Sequence, residues 1–247
     1  MIFYTVFLAF LSNAISFDSS ITHIDKIPPS NDNETNFTNH GYLIFVHRAE
    51  QCPHCITLGP MWNNAAEMGQ GLATFSELNC ITNEDICRKL KIYTVPSFVY
   101  YLNGNVSLYK GYRIPREIVN WVSKFVNTDS ISIVDNSNYS SMLNNEDSNN
   151  EKSQPVAILF SDKKDIPKIW AAVNNVLNQY DRKKIVSFLF SNDRKLLQEL
   201  KLSTFPGIYF SNNGKDFFEY TGKRITPRIV DFIRNHMGIN SDAKTEL

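Results

Sequence analysis

The sequence is short of most features that announce a function through composition alone. Its 247 residues carry 25 Lys and Arg against 25 Asp and Glu, so there is no basic excess with which to gather nucleic acid. Only four cysteines are present, too few for a small disulfide-dense scaffold but enough for one reactive pair and one structural pair. A helix that crosses ~30 Å of hydrocarbon needs ~20 apolar residues, and the longest such run, Ile2 to Ala14, has about 13. What remains is a hydrophobic content of 43%, ordinary for a soluble globular protein, in a chain long enough for one large domain or two of about 100 to 150 residues.

The two ends read as addresses. Ile2 to Ala14 has the length of a signal-peptide core, and Ala14-Ile15-Ser16 places small residues two apart before Asp18, which fits cleavage after Ser16. The last four residues, Lys244-Thr245-Glu246-Leu247, differ from the KDEL retrieval signal by Thr in place of Asp. Both addresses point to the lumen of the endoplasmic reticulum, with a retrieval receptor as one partner. Sequons at Asn33, Asn36, Asn105 and Asn138 are compatible with that compartment. The lumen is oxidising, so paired cysteines are expected there. The mature chain is expected to be soluble, with neither a membrane span nor a nucleic-acid partner.

The chain also repeats itself. Leu90-Lys-Ile-Tyr-Thr-Val-Pro96 to Asn103-Gly104 returns as Leu200-Lys-Leu-Ser-Thr-Phe-Pro206 to Asn213-Gly214, an offset of 110 residues from Pro96 to Pro206. Tyr109-x-Gly111-x-Arg113-Ile114 returns as Tyr220-x-Gly222-x-Arg224-Ile225, now at an offset of 111, as one residue inserted in a turn would produce. In each copy a helix ends near Leu90 or Leu200, a strand follows the proline, Asn-Gly makes a hairpin turn, and a second strand and an amphipathic helix complete the unit. Upstream, Tyr42–Val46 and Pro155–Phe160 are apolar runs suited to a central strand buried on both faces. The reading is two α/β domains of one type, residues 17–127 and 128–239, between a signal peptide at 1–16 and a tail at 240–247. The polar stretch Asn144 to Gln154 is read as a loop inside the second unit.

The chemistry concentrates in Cys52-Pro53-His54-Cys55, which follows the first central strand and opens a helix expected over Ile56 to Gly69. A thiolate at a helix N-terminus meets unpaired N–H groups and the positive end of the helix dipole. Its pKa can fall from ~8.5 toward ~3.5 to 7 in such a motif, leaving the nucleophile charged at neutral pH. The spacing lets the two sulfurs close to a disulfide and reopen. His54 can donate to the Cys52 thiolate, and Pro53 stiffens the turn.

Strand, CxxC, a helix with Pro60, and then Val95-Pro96 resemble the thioredoxin fold. The wider pattern, CxHC, Asn79-Cys80, Cys87-Arg-Lys-Leu90, Val-Pro, Asn-Gly and Tyr-x-Gly-x-Arg, resembles a catalytic domain of the protein disulfide-isomerase family, and residues 130 to 238 resemble the non-catalytic domain that follows it there. The resemblance implies two tandem thioredoxin-like domains, each a central mixed sheet flanked by helices, in a luminal thiol-disulfide oxidoreductase or isomerase. It makes Cys52 the attacking thiol and Cys55 the resolving one, gives Val95 and Pro96 a loop that presents main-chain groups to an extended substrate, and makes Arg113 a mobile arginine that lowers the Cys55 pKa. It requires no cofactor or metal. The partners it implies are unfolded or partly folded cysteine-containing secretory proteins, with a luminal oxidase or glutathione for recycling.

This chain departs from the pattern at several positions. Gln51 stands where the isomerases carry Trp and Pro53 where they carry Gly; the Pro-His pair is instead similar to the bacterial periplasmic disulfide oxidase and suggests an oxidising pair, about −120 to −180 mV. Val46 replaces a buried proton-accepting acid, and Glu77 stands at its usual Lys partner, so Cys55 must use water or another group. His47 and His40 read as ordinary strand or surface residues. Cys80 and Cys87 fit a local structural disulfide, buried free thiols, or two further ligands of a zinc site built with the CxxC. Because Arg224 recurs where there is no cysteine, Arg113 is open between a redox role and a solvated helix-start residue. A non-catalytic chaperone or escort that holds unfolded clients is the competing function.

Overall fold

The computed structural model describes residues 15, 17–26, 41–48, 51–144, 155–178 and 186–238. The signal-peptide core, Ser16, His40, the sequons at Asn33 and Asn36, the polar stretch 145–154 and the KTEL tetrapeptide lie outside them.

The first sheet is built on β2 (Tyr42–His47), flanked on one side by β3 (Thr74–Asn79) and the short edge strand β1 (Thr22–His23), on the other by β4 (Ser97–Leu102) and β5 (Asn105–Leu108). β1 and β2 each run parallel to β3, while β4 runs antiparallel to β2 and β5. Alternate residues of a strand face opposite sides. Leu43 and Phe45 therefore join Phe75 and Phe98 beneath helices α1 (Pro53–Met68) and α3 (Pro115–Val122), whereas Ile44, Val46 and Leu78 pack on the other face with helix α2 (Glu84–Lys89). A 3₁₀ turn, Ser123–Phe125, ends this half. α1 begins three residues before the expected Ile56, because Pro53, which has no N–H to lose, serves as its first residue.

The second sheet repeats the first. Its order is β6 (Ser132–Ile133), β8 (Ser187–Ser191), β7 (Val156–Phe160), β9 (Gly207–Ser211), β10 (Phe218–Tyr220), with the same parallel and antiparallel pairings. Its helices are α4 (Tyr139–Asn144), α5 (Lys168–Asn178), α6 (Arg194–Glu199) and α7 (Thr226–Met237). The chain thus forms two thioredoxin-like α/β domains in tandem. Both α2 and α6 end in the same way: Lys91 and Lys201 take the left-handed conformation, and Ile92 N–H and Leu202 N–H close back on Cys87 O and Leu197 O at 2.9 and 3.0 Å.

The two hairpins differ. Asn103 and Gly104, with φ of 49° and 82°, make the expected two-residue turn. Asn213-Gly214 does not: residues 212–217 separate β9 from β10, and the Asn213 side-chain carbonyl instead accepts from the N–H groups of Lys215 and Asp216, each at 2.9 Å. The inserted residue that shifts the repeat offset from 110 to 111 is in this loop.

The domains meet where α5 seats on the turn that follows α1. Asn175 Nδ2 donates to Gly71 O at 2.9 Å, and Lys168 Nζ donates to Val126 O at 2.8 Å. Gly71 has φ of +79°, and a Cβ there would stand 2.3 Å from Ala172 O. Gly71→Ala is therefore expected to destabilise the protein by about 1–3 kcal/mol through strain and loss of this seat. Urea unfolding checks it, and a change within about 0.5 kcal/mol would show that the seat adds nothing.

Candidate active site

Cys52 is the N-cap of α1, in extended conformation, and its sulfur accepts the backbone N–H of Cys55 at 3.2 Å. It is joined to Cys55 across a Cα–Cα distance of 5.2 Å. The two cysteines are not equivalent: Cys55 is 0% exposed and Cys52 is 8% exposed, so what contact the pair has with solvent is at Cys52. His54 stands exposed on the same turn, and the hydrogen bond that reaches the Cys52 sulfur comes from the backbone.

Val46 pairs with Ser97, so the strand end from which the CxxC turn departs lies beside the start of β4 and Val95-Pro96 at the same end of the sheet. Both Val95-Pro96 and Phe205-Pro206 are cis. Arg113 Nη2 donates to Pro96 O at 3.0 Å, and Arg224 Nη2 donates to Pro206 O at 2.5 Å. The rest of the Tyr-x-Gly-x-Arg motif serves the same arm. Tyr109 OH donates to Tyr112 O at 2.7 Å and Tyr220 OH to Lys223 O at 2.5 Å, each fixing the residue before the arginine. The glycine leaves room for the ring, since a Cβ on Gly111 would lie 2.5 Å from Tyr109 Oη. The motif was legible as a repeat in the sequence; that its arginine ends on the proline carbonyl was not.

Cys80 and Cys87 form a second disulfide, Cα–Cα 5.8 Å, tying the end of β3 to α2. They lie in the core layer with Val46 and Leu78, while Cys52 and Cys55 lie in the opposite layer with Phe45 and Trp62. The four sulfurs do not converge on one site, which removes the geometry of a four-cysteine zinc centre.

A buried cluster was missed at the sequence level. His47, read as an ordinary strand or surface residue, is 3% exposed, and its Nε2 donates to Glu77 Oε2 at 2.5 Å; His23 Nδ1 binds the other carboxylate oxygen. One side chain from each of β1, β3 and β2 thus meets across the sheet. Glu77 shares its face with Phe75, in register with Phe45, a period-two signal that marks it as inward-facing. The Phe17 ring closes over His47, centroids 5.4 Å apart. Burial by itself pushes the Glu77 carboxyl up, but the hydrogen bonds and charges of His47 and His23 outweigh it and hold the group below its ordinary value of 4.5.

Residues 31–124 match the thioredoxin family. The chain is 35% identical over 65 residues to protein disulfide-isomerase 5-1 of Arabidopsis thaliana, covering 25% of this chain and 44% of that one. It is 26% identical over 233 residues to a putative protein disulfide-isomerase of Schizosaccharomyces pombe, covering 91% of this chain and 44% of that one. Residues 31–124 are thus similar to thioredoxin, and the chain is similar to protein disulfide-isomerases. The chain spans less than half the length of the curated relatives it matches. Among solved structures, ERdj5 form II superposes with a TM-score of 0.58 at 16% identity over 87% of this chain and 29% of that one, a likeness of fold. Among the described residues no helix is long and apolar enough to cross a membrane.

The Glu77 cluster generates a pH prediction. A carboxylate whose folded pKa is depressed contributes stability that is complete above its unfolded value and is lost as pH falls through the folded one. Glu77→Gln is expected to cost about 1–3 kcal/mol at neutral pH and to flatten the decline in stability below about pH 4.5. Urea midpoints between about pH 6 and about pH 3 check it; an unaltered acid limb would show that Glu77 does not set it.

Proposed function

We propose that this chain forms or rearranges disulfides in secretory polypeptides through a mixed disulfide at Cys52 that Cys55 resolves. The observation that carries the reading is the asymmetric pair at the start of α1, Cys52 8% exposed at the helix cap and Cys55 fully buried.

In the oxidising direction, a client thiolate attacks the Cys52 sulfur. A client–Cys52 bond forms, the Cys52–Cys55 bond breaks, and Cys55 leaves as a thiolate. A second client thiolate then attacks the client sulfur of the mixed disulfide, Cys52 leaves as a thiolate stabilised by the Cys55 N–H and the helix N-terminus, and the client gains a disulfide at the cost of two electrons to the protein. Rearrangement begins from the reduced pair: Cys52 attacks a client disulfide, and Cys55 frees the enzyme if the client does not. Reoxidation needs a luminal oxidase or glutathione disulfide. Val95-Pro96 would present main-chain groups to the client, with Arg113 holding that loop through the Pro96 carbonyl. His54 would act on the thiolate form, and Cys80–Cys87 would be structural. The apolar Ile2–Ala14 run and the terminal Lys244-Thr-Glu-Leu247 support a place in the lumen of the endoplasmic reticulum, with the retrieval receptor as a partner. The second domain, without cysteine, would supply binding surface.

Cys52→Ser is expected to abolish reactivation of scrambled, reduced ribonuclease. Cys55→Ala is expected to accumulate mixed disulfides with clients, visible as species on non-reducing gels that disappear with dithiothreitol. If the Cys55→Ala protein trapped nothing, the pair would be inert and the chain would act as a non-catalytic escort.

A further inference from the structure

The second domain keeps the arginine arm of the first but carries cations at four positions near it where the first has three acids and a tyrosine. Aligned through the repeat, Glu84 and Asp85 of α2 become Arg194 and Lys195 of α6, Tyr112 becomes Lys223, and Glu117 becomes Arg228. All four cations are exposed, as is Arg224. In the first domain the two α2 acids are matched within their own helix, Arg88 on Glu84 at 2.8 Å and Lys89 near Asp85 at 3.8 Å. Among the described residues, none of Arg194, Lys195, Lys223, Arg224 and Arg228 has a carboxylate within ion-pair distance.

Two of the five converge on consecutive residues. The Arg194 guanidinium lies 3.9 Å over the centre of the Phe205 ring, and Arg224 Nη2 reaches Pro206 O at 2.5 Å. A guanidinium carries five N–H donors and keeps its charge in both contacts, so each retains capacity for a carboxylate, which it can grip in a two-pronged bond. Acids stand beside these cations, but among the described residues none forms an ion pair with them. Asp193 accepts from the backbone N–H groups of Lys195 and Asn136, at 2.8 and 3.0 Å, and keeps its charge while its oxygens are turned to the backbone. Glu199 lies four residues from Lys195 and Asp231 three from Arg228, on the same helix faces, yet neither is within ion-pair distance. Phe205, half-buried, and Ile225, 46% exposed, add apolar surface beside the cations.

We propose that the Phe205-Pro206 loop of the cysteine-free domain, flanked by Arg194 and Arg224, binds acidic segments of extended polypeptide chains. The choice of polypeptide rests on the reading that the equivalent loop of the first domain receives a client, and the mixed apolar and cationic lining suits a chain in which Asp or Glu alternates with apolar side chains. Holding an acidic stretch here while a cysteine reacts at Cys52 would turn a single encounter into two linked ones.

The test is fluorescence anisotropy on the full chain with a labelled peptide of alternating Glu and Leu, against a Lys-Leu peptide of equal length, oligothymidylate and phosphatidylserine vesicles. The Glu-Leu probe is expected to bind saturably, and to weaken as salt rises from about 0.05 M to about 0.5 M. The variant Arg194→Glu, Lys195→Asp, Lys223→Tyr, Arg228→Glu places at each position the residue that the first domain already tolerates, and is expected to lose at least tenfold in affinity. Arg194→Glu alone, which leaves the Arg224 bond to Pro206 in place, should lose severalfold. Cys52→Ala, inert in exchange under the proposed function, should still bind the probe, so the two readings fail separately. The proposal is overturned if wild type shows no saturable binding, if both charge variants bind as wild type does, if Cys52→Ala abolishes binding, or if the oligonucleotide or the vesicles bind more tightly than the peptide.

Discussion

The candidate site rests on the way Trp62 seats α1 on the sheet. Its ring lies 5.2, 5.4 and 5.7 Å from those of Phe75, Phe98 and Phe45, so one helical side chain contacts all three strands at the centre of the domain. Burying aromatic rings of this size contributes on the order of 2–3 kcal/mol each before the ring geometry adds its share. Because the helix is fixed along its length, its first turn is fixed too. The difference between Cys52 and Cys55 then follows from helical geometry, one sulfur at the cap and the other facing the aromatic layer. A helix free to rock would lose the asymmetry on which the proposed roles of the two thiols rest.

Much of this was legible in the sequence, for identifiable reasons. The tandem fold showed through the duplicated Thr-x-Pro, Asn-Gly and Tyr-x-Gly-x-Arg spacings, and the central strands through unbroken apolar runs. The first hairpin followed from Asn103-Gly104, whose positive φ values the turn demands. The second misled because the same two letters can cap a longer loop when the asparagine amide turns back on the backbone, and the letters do not say which. The His47–Glu77–His23 cluster was hidden for a different reason: it joins residues on three strands, and cross-strand register is a tertiary quantity. Glu77 alone carried a signal, alternation with Phe75, that a reading focused on its alignment with a basic residue passed over.

Duplication gives the molecule an internal control. Sheet order, Schellman helix ends, and the tyrosine, glycine and arginine of the arm are held in both halves; cysteines, hairpin length and charge are not. What is held sets the shape of the proline loop, and what varies sets what the loop meets. An arginine that reaches the same carbonyl with and without a neighbouring disulfide is first a brace, and any influence on the cysteines comes through the loop it braces.

The edges of the two sheets have a further consequence. β1 and β6 are each two residues long, and β1 is fastened by side chains, Thr22 to Ser76 at 2.6 Å and His23 to Glu77. A sheet edge is an open row of backbone donors and acceptors that any extended chain can extend. A protein whose proposed clients are unfolded chains is continually offered such strands. The opposite edges, β5 and β10, are only 4 and 3 residues long, so on every edge little backbone is left for a client to zip onto.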